Sequence, residues 1–289
     1  MKNIKATIIT IGDELLIGQT IDTNSAWIAQ QLNVLGIDVF RRVAVADSEP
    51  GIELALDEEI PRADIVLITG GLGPTSDDIT KPFLCKYFGG KLIVNEDVLE
   101  HVRQLFEVRK RPFLEINRKQ AEVPDVCTVL RNEMGTAPGM LFEQDGKWII
   151  SMPGVPFEMQ SIMTHEVLPR LKERFISDAI IHRNIITSGE GESFIAEMLT
   201  DFEAALPPYI KLSYLPAPGS VKLRLTAKGA DTERLTQELE KLHAEMAHIL
   251  ERIVVCTEDI SWQELLGRTL LHKKATVCLA ESCTGGYIA

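Results

Sequence analysis

The stretch DIVLITGGLGPTSDDIT, residues 64–80, has the pattern of a strand that ends in a loop before a helix. Residues 64–69 form a short, β-branched apolar run, which is typical of a strand buried on both faces. Gly70, Gly71 and Gly73 then permit positive φ and close backbone approach. The helix start beyond them offers free N–H groups to an anion. The stretch predicts an α/β fold with a ligand loop at the end of a central strand.

The surrounding chain repeats this alternation of strands and helices. ATIITI (6–11) and IDVFRRVAVA (37–46) predict strands, and each is followed by a helical pattern. GMLFEQDGKWIISMPG (139–154) predicts a hairpin turning at Asp145-Gly146, and residues 156–175 predict a closing helix. We therefore expect residues 1–175 to form a mostly parallel sheet sandwiched by helices.

The order of elements changes after residue 175. Residues 176–258 read as strand, helix, two strands, long helix and short strand, which predicts a small α+β domain. The last residues, 259–289, predict a helix, a buried strand at ATVCLA and a Gly-Gly turn opening another helix. That pattern indicates the start of a third α/β domain whose remainder is missing.

Composition narrows the class of protein. The chain has 289 residues, 45% of them hydrophobic and 25% charged, as expected of a folded protein. Its formal net charge of −12 argues against a nucleic-acid partner. Five scattered cysteines favour a reducing compartment, and no run approaches the ~20 apolar residues of a membrane span. We expect a cytoplasmic protein with no membrane partner.

The adjacent acids at the end of the central loop need an explanation. Either Asp77 or Asp78 can cap the following helix, but one suffices for a cap. A divalent cation explains both, because Mg²⁺ binds one or two carboxylates together with phosphate oxygens. Asp13 and Glu14 follow the first strand and supply further ligands or a general base, unless they form only a solvated turn. Glu158 is either a site residue or only the acidic residue in the first turn of a helix.

A set of motifs in the first 160 residues resembles the CinA (competence/damage-inducible protein A) family. The motifs are GDELLIGQTIDTNS, TGGLGPTSDDITK, NRKQAEVP, GTAPGM and MPGVPFEM. Residues 70–80 also resemble the loop of molybdopterin-binding domains, which often carry Arg where this chain has Asp77. The resemblance implies metal-dependent hydrolysis of the pyrophosphate of ADP-ribose or a related dinucleotide, in pyridine-nucleotide salvage. The metal is Mg, Mn or Co, which oxygen ligands alone do not distinguish.

The motifs and the resemblance together predict the residues of the site. The expected catalytic residues are Asp13, Glu14, Asp77 and Asp78, with Asp13, Asp77 and Asp78 as metal ligands. The expected substrate-binding residues are Asn24, Gly70, Gly71, Gly73, Thr75, Ser76, Thr80, Asn117, Arg118, Gln120, Gly135, Thr136, Gly139, Pro153, Gly154 and Glu158. Without the resemblance, the NRKQA segment reads as an exposed helix face.

The later segments carry separate expectations. The middle domain resembles the family's KH-like domain but lacks a GXXG loop, so we expect a structural or dimerisation module and a homodimer. ATVCLAESCTGGYIA resembles the opening of a nicotinamide-mononucleotide amidohydrolase domain, which implies an active-site role for Ser282 beside Thr284 and Gly285. No basic residue follows to complete that site, so we expect no deamidase activity from this chain.

Two other functions remain open at this point. The first is a molybdopterin-binding or transferase-like protein, which would share the fold and the central loop. The second is a non-enzymatic accessory protein of competence or damage responses.

Overall fold

The computed structural model describes residues 4–75, 78–175 and 178–286. The chain divides into two compact units, Met1–Ile180 and Ile181–Ala289. In the described part of the chain, no helix combines the length and apolar character needed to cross a membrane.

The first unit contains eight strands and eight α-helices within its described residues. The strands are β1 (Lys5–Ile11), β2 (Asp38–Val45), β3 (Ile65–Thr69), β4 (Leu92–Val94), β5 (Glu122–Pro124), β6 (Thr128–Leu130), β7 (Gly139–Gln144) and β8 (Lys147–Met152). The helices are α1 (Asp13–Leu16), α2 (Thr23–Val34), α3 (Glu49–Glu59), α4 (Thr80–Tyr87), α5 (Glu96–Val108), α6 (Glu115–Arg118), α7 (Pro156–Ile162) and α8 (Leu168–Arg174). A 3₁₀ turn, Lys119–Ala121, follows α6, and a π-helical turn, Met163–Val167, joins α7 to α8.

Six of these strands form one sheet in the order β2-β1-β3-β8-β7-β6. β1 pairs in parallel with β2 and β3, and β3 pairs in parallel with β8, whereas β7 is antiparallel to both neighbours. Alternate side chains enter separate cores, with Ile8 and Leu67 on one face and Ile9 and Ile68 on the other. The mostly parallel sheet between helical layers confirms the predicted fold class.

The sheet register sets the position of the predicted loops. Thr10 lies opposite Thr69, and Thr69 lies opposite Met152. The ends of β1, β3 and β8 therefore meet at one edge, where ligands of open α/β sheets bind.

Local signals account for the element boundaries. The Asp22 carboxylate accepts a hydrogen bond from Ser25 N (2.9 Å) and caps α2, and Gly36, at a φ of 74°, follows its end. Asp145 and Gly146 both have positive φ, as a two-residue type I′ hairpin turn requires. The helix predicted after β1 and the hairpin predicted at Asp145-Gly146 are confirmed.

The second unit is built on a four-stranded sheet in the order β10-β11-β9-β12. The strands are β9 (Ala179–Ser188), β10 (Ile210–Ala217), β11 (Ser220–Gly229) and β12 (Val254–Cys256). The helices are α9 (Glu192–Met198), α10 (Thr200–Ala204), α11 (Thr232–Ile249) and α12 (Trp262–Lys273). The apolar side chains of α11, including Leu235 and Leu239, pack with the strands into a separate core. This is the predicted small α+β arrangement.

The strand predicted at ATVCLA is wrong. Residues 275–280 form no regular structure, and Val277 and Leu279 are 58% and 47% exposed. A strand requires neighbours that satisfy its backbone groups and cover its apolar side chains, and the apolar pattern alone supplies neither. Gly285 and Gly286 do turn with positive φ, as their sequence indicates.

Candidate functional site

The loops after β1, β2, β3 and β8 enclose a pocket of about 390 Å³, here called the acidic pocket. Its lining includes Gly12, Glu14, Asp47, Gly70, Gly71, Gly73, Asp78, Gln120, Thr136, Pro153, Gly154 and Glu158. The sequence predicted most of these residues, and the sheet brings them together. Four carboxyl groups, those of Glu14, Asp47, Asp78 and Glu158, lie on one wall or another of this pocket.

Asp78 shapes the central loop. Its Oδ1 accepts a hydrogen bond from Gly73 N (2.7 Å), and its Oδ2 accepts hydrogen bonds from Thr75 N (3.0 Å) and Thr75 Oγ1 (2.5 Å). Helix α4 begins two residues later, and its N-cap position, Ile79, makes no side-chain cap. Asp78 therefore braces the loop instead of capping the helix. Ser76 and Asp77 lie outside the described residues.

Gly70 joins the loop to the sheet. Its φ is 118°, and a Cβ at this position would lie 2.2 Å from the carbonyl oxygen of Ile11. Its N–H donates to Met152 O (3.1 Å) in continuation of the β3–β8 ladder. The position requires glycine both for its backbone conformation and for the close approach of β1.

Several N–H groups of the loop are already used within the protein. Gly70 N donates to Met152 O, Thr80 N donates to Gly71 O, and the N–H groups of Gly73 and Thr75 donate to Asp78. These four groups are not free to receive a phosphate. The glycines predict a loop with free N–H groups for an anion. In the structure, four of these N–H groups already have acceptors within the protein, two of them on the Asp78 carboxylate.

Asp47 is the acid that the sequence reasoning missed. Asp13 N donates to Asp47 Oδ2 and Asp47 N donates to Asp13 Oδ1, both at 3.3 Å, so the loops after β1 and β2 hold each other. Burial raises the pKa of Asp47, and the charges of Asp13, Glu14 and Asp78 raise it further against the hydrogen bond from Asp13 N–H. A detectable signal existed, because Asp47 follows β2 at the same sheet edge.

The donor chemistry of the acidic pocket fits a hard divalent cation. The charged side chains that line it are all carboxylates. The buried oxygens Thr80 Oγ1 and Gln120 Oε1 have no hydrogen-bond partner in the described part of the chain. Among the same residues, no group of three or more His, Cys, Asp or Glu side chains is arranged to hold a metal by itself. Mg²⁺ commonly binds through one or two carboxylates, waters and substrate phosphate oxygens, which needs no complete protein cage.

The NRKQA segment divides between two environments. Gln120 is 1% exposed and lines the acidic pocket. Asn117 Oδ1 instead accepts a hydrogen bond from Leu114 N (2.9 Å) at the start of α6, and Arg118 is exposed. The structure therefore brings Gln120 to the pocket, and it places Asn117 and Arg118 outside the lining.

Lys81 supports the turn that carries Gln120. Its Nζ donates to Lys119 O (2.8 Å) and lies 3.5 Å from Gln120 O. Burial lowers the pKa of Lys81 to about 8, although the nearby charges of Glu122 and Asp78 favour its cationic form. The residue stands inside a quoted motif, but its inward direction was not readable from the sequence.

Asn24 fastens the loops together beside the acidic pocket. Its Nδ2 donates to Thr69 Oγ1 (3.1 Å) and to Gly154 O (2.8 Å), while Thr69 Oγ1 donates to Pro153 O (2.9 Å). Asn24 lines a neighbouring pocket of about 120 Å³ that shares Glu14 and Gly154 with the acidic pocket. Its side-chain amide is thus engaged in holding the end of β3 against the loop after β8.

Asn132 organises the loop opposite the acids, and the sequence reasoning missed it. Its Nδ2 donates to Glu158 Oε2 (2.6 Å) and Ala137 O (2.8 Å). Its Oδ1 accepts hydrogen bonds from the N–H groups of Met134 (3.1 Å) and Gly135 (3.0 Å). Every hydrogen-bonding position of this buried amide is used, so Asn132 fixes both Glu158 and the GTAPG loop.

Asn132→Ala is expected to lower the free energy of unfolding by about 2 kcal/mol, because it leaves several buried groups unpaired. Denaturant unfolding of the whole chain measures the change. Asn117→Ala is the matched control, since it removes one partly exposed hydrogen bond, and about 0.5–1 kcal/mol is expected from it. Equal losses from the two variants would contradict the organising role of Asn132.

The remaining predicted site residues are not part of the lining of the acidic pocket. Gly139 starts β7 within the core, and Gly135 lies against the Glu158 carboxylate and lines a neighbouring pocket of about 490 Å³. Ser282, Thr284 and Gly285 are exposed, and Thr284 Oγ1 donates to Glu281. The structure places the three residues of the implied amidase site on the surface of the second unit.

Comparison with known families first defines the class of each unit. The model of the "Probable molybdopterin binding domain" family matches residues 7–173, and that of the "Damage-inducible protein CinA KH domain" matches residues 182–255. The chain therefore combines a molybdopterin-binding-type α/β domain with a KH-type domain.

Similar whole proteins then give the family. A CinA-like protein of Flavobacterium psychrophilum is 48% identical over 288 residues, covering 99% of this chain and 69% of the relative. A CinA-like protein of Cytophaga hutchinsonii is 47% identical over 287 residues with the same coverages. The crystal structure of the protein CinA with unknown function from Thermoplasma acidophilum is 33% identical, with a TM-score of 0.53, and the match covers 60% of this chain and 99% of that one. The chain belongs to the CinA family.

Proposed function

We propose that the first unit hydrolyses the pyrophosphate bond of ADP-ribose or a related dinucleotide with the help of a divalent metal ion. The observation that carries this proposal is the cluster of Glu14, Asp47 and Asp78 on a pocket at the carboxyl edge of the sheet. A pyrophosphate would be repelled by these carboxylates unless a cation lay between them. The internal use of the loop N–H groups supports the same conclusion, because fewer backbone donors are left to neutralise the anion.

Asp47 and Asp78 are the residues that would hold the ion. When bound, it supplies charge neutralisation and Lewis-acid polarisation at the phosphoryl group. The chain's own task is then to orient the substrate and to move a proton. Glu14 is the proposed general base, because it lines the acidic pocket and is not part of the loop brace formed by Asp78. Gln120 and Thr136 line the same pocket, and we propose that they bind ribose or phosphate oxygens.

The test is a panel of dinucleotides incubated with the chain and scored for released AMP. We expect release in the presence of Mg²⁺, Mn²⁺ or Co²⁺, loss of release after chelation, and recovery when the metal is returned. Release that persists after complete metal removal would contradict the metal dependence. No release from any dinucleotide with any of the metals would reject the hydrolase proposal.

A second candidate function is the binding or transfer of molybdopterin. It is favoured by the description of the family that matches residues 7–173. Equilibrium binding of molybdopterin to the chain, together with no AMP release from the panel, would select it. If the chain neither releases AMP from a dinucleotide nor binds molybdopterin, the third alternative, a non-enzymatic accessory role, would be left.

A further inference from the structure

The pocket of about 120 Å³ that Asn24 lines, here called the small pocket, lies directly beside the acidic pocket. The two pockets share Ile11, Glu14 and Gly154. The volume is well below the roughly 300–1,000 Å³ of sites that take small organic molecules. It is nevertheless enough for a few water molecules, each of which occupies about 30 Å³ in the liquid. The small pocket is therefore a place for water next to the proposed pyrophosphate site.

Asn24 brings a buried acceptor to this place. Its Nδ2 donates to Gly154 O (2.8 Å) and to Thr69 Oγ1 (3.1 Å). Thr69 Oγ1 already donates its only proton to Pro153 O (2.9 Å), so it can only accept from Asn24, and the orientation of the amide is fixed. The other end of the amide, Oδ1, is buried and has no hydrogen-bond partner in the part of the chain that the structure describes. A buried acceptor needs a donor, and water is a donor that fits this pocket.

The Glu14 carboxylate lies where the two pockets meet. A Cβ at Gly12 would lie 2.5 Å from Glu14 Oε1 and 2.7 Å from Oε2, so the carboxylate rests directly over the backbone of Gly12. Gly12 lines the acidic pocket, whereas Glu14 lines both pockets. The proposed general base therefore adjoins the small pocket on one side and the acidic pocket on the other.

We propose that the small pocket holds the water that attacks the pyrophosphate, with one O–H donated to Asn24 Oδ1 and the other to Glu14. This inference rests on the proposed function, because it places the nucleophile of that reaction. The water oxygen forms a bond to one phosphorus, and the bond from that phosphorus to the bridging oxygen breaks. The bridging oxygen leaves with the other phosphate and takes the electron pair, while Glu14 takes the proton that the water loses. ADP-ribose and water thus give AMP and ribose 5-phosphate.

The test compares hydrolysis of ADP-ribose with methanolysis in mixtures of water and methanol. Methanol has a single O–H group, so it can give a proton to Glu14 but has no second proton for Asn24 Oδ1. Asn24→Ala is expected to lower kcat for hydrolysis about tenfold, the effect of one hydrogen bond, with KM within about twofold. The ratio of methyl phosphate ester to hydrolysis product, measured by mass spectrometry, is expected to rise about tenfold.

Thr69→Val is the matched control for the structural part of the Asn24 contacts. It removes the hydroxyl that joins Asn24 to the loop after β8, but it leaves Oδ1 and the bond from Nδ2 to Gly154 O in place. Hydrolysis and methanolysis should then change together, so that their ratio stays within about twofold of the unchanged chain. A ratio that rises equally in both variants, or in neither, would overturn the inference. Asn24→Ser gives the same comparison if Asn24→Ala does not fold.

A crystal structure of the whole chain separates this inference from the proposed function, because it needs no activity. We expect an ordered water within hydrogen-bond distance of both Asn24 Oδ1 and the Glu14 carboxylate, and its loss in Asn24→Ala. If this water is present but no dinucleotide is hydrolysed, the hydrolase proposal fails and the water site stands. If dinucleotides are hydrolysed but the position holds no water, or holds Mn²⁺ identified by its anomalous scattering, the water inference fails alone.

Discussion

Asp47→Asn is expected to lower metal-dependent turnover of ADP-ribose by about 100-fold or more, because it removes one of the charges that would hold the cation. The change keeps the size of the side chain. It also keeps an oxygen that can accept the 3.3 Å hydrogen bond from Asp13 N. The measurement is kcat/KM at saturating Mg²⁺, Mn²⁺ and Co²⁺, since a weakened metal site is partly recovered by more metal.

The same variant is expected to fold at least as well as the unchanged chain. The raised pKa of Asp47 means that the folded state disfavours its ionised form relative to the unfolded state. Stability therefore falls as pH rises through the ordinary range of an aspartate, and a neutral amide avoids that loss at neutral pH. Activity and stability should move in opposite directions, which a merely structural role for Asp47 would not produce.

Asp145→Asn is the matched control for Asp47→Asn. Asp145 lies in the exposed β7–β8 turn at a φ of 53°, a conformation that asparagine adopts readily. Its turnover and stability are expected to stay within the error of the unchanged chain. Metal-dependent turnover by Asp47→Asn equal to that of this control would remove Asp47 from the proposed metal site.

Asp78→Asn gives a less direct test than the sequence alone suggests. Both oxygens of Asp78 accept N–H groups from the loop, so an amide would turn its own NH₂ toward Gly73 N or Thr75 N. Loss of activity in that variant would combine a missing charge with a disturbed loop. The sequence identified Asp78 as important, but its bracing role depends on a turn geometry that the sequence pattern does not encode.

Features that depend on residues close in sequence were predicted correctly, whereas contacts between residues far apart in sequence were missed. The strand β3 and the hairpin at Asp145-Gly146 were predicted because burial patterns and turn residues act over a few positions. Asp47 was missed because its partner, Asp13, is 34 positions away and meets it only through the β1–β2 pairing. Asn132 was missed because its bond to Glu158 spans 26 positions. A sequence pattern alone does not show such contacts.

The ATVCLA segment shows the opposite error. Its alternation of apolar and small residues satisfies a local strand pattern, yet Val277 and Leu279 are largely exposed. Strand formation depends on a neighbouring strand as well as on propensity. A segment with the sequence pattern of a strand therefore forms no strand when no neighbour pairs with it.

Gly70→Ala is expected to lower the free energy of unfolding of the first unit by about 2–5 kcal/mol. A left-handed φ costs an alanine about 1–2 kcal/mol. The new methyl would also lie 2.2 Å from Ile11 O, and neither backbone segment can retreat freely because both belong to the central sheet. Relief of such a clash adds about 1–3 kcal/mol.

Gly18→Ala separates the two contributions to the Gly70→Ala effect. Gly18 lies in the same unit at a φ of 73°, and a Cβ there would meet nothing within 4 Å. It is expected to cost only the ~1 kcal/mol of the backbone conformation. Because Gly70 connects β3 to the loop braced by Asp78, relief of the clash must also displace that loop, so residual folded Gly70→Ala protein should turn over ADP-ribose more slowly than Gly18→Ala. Equal stability of the two variants would show that β1 and β3 do not approach each other as closely at Gly70 as the structure describes.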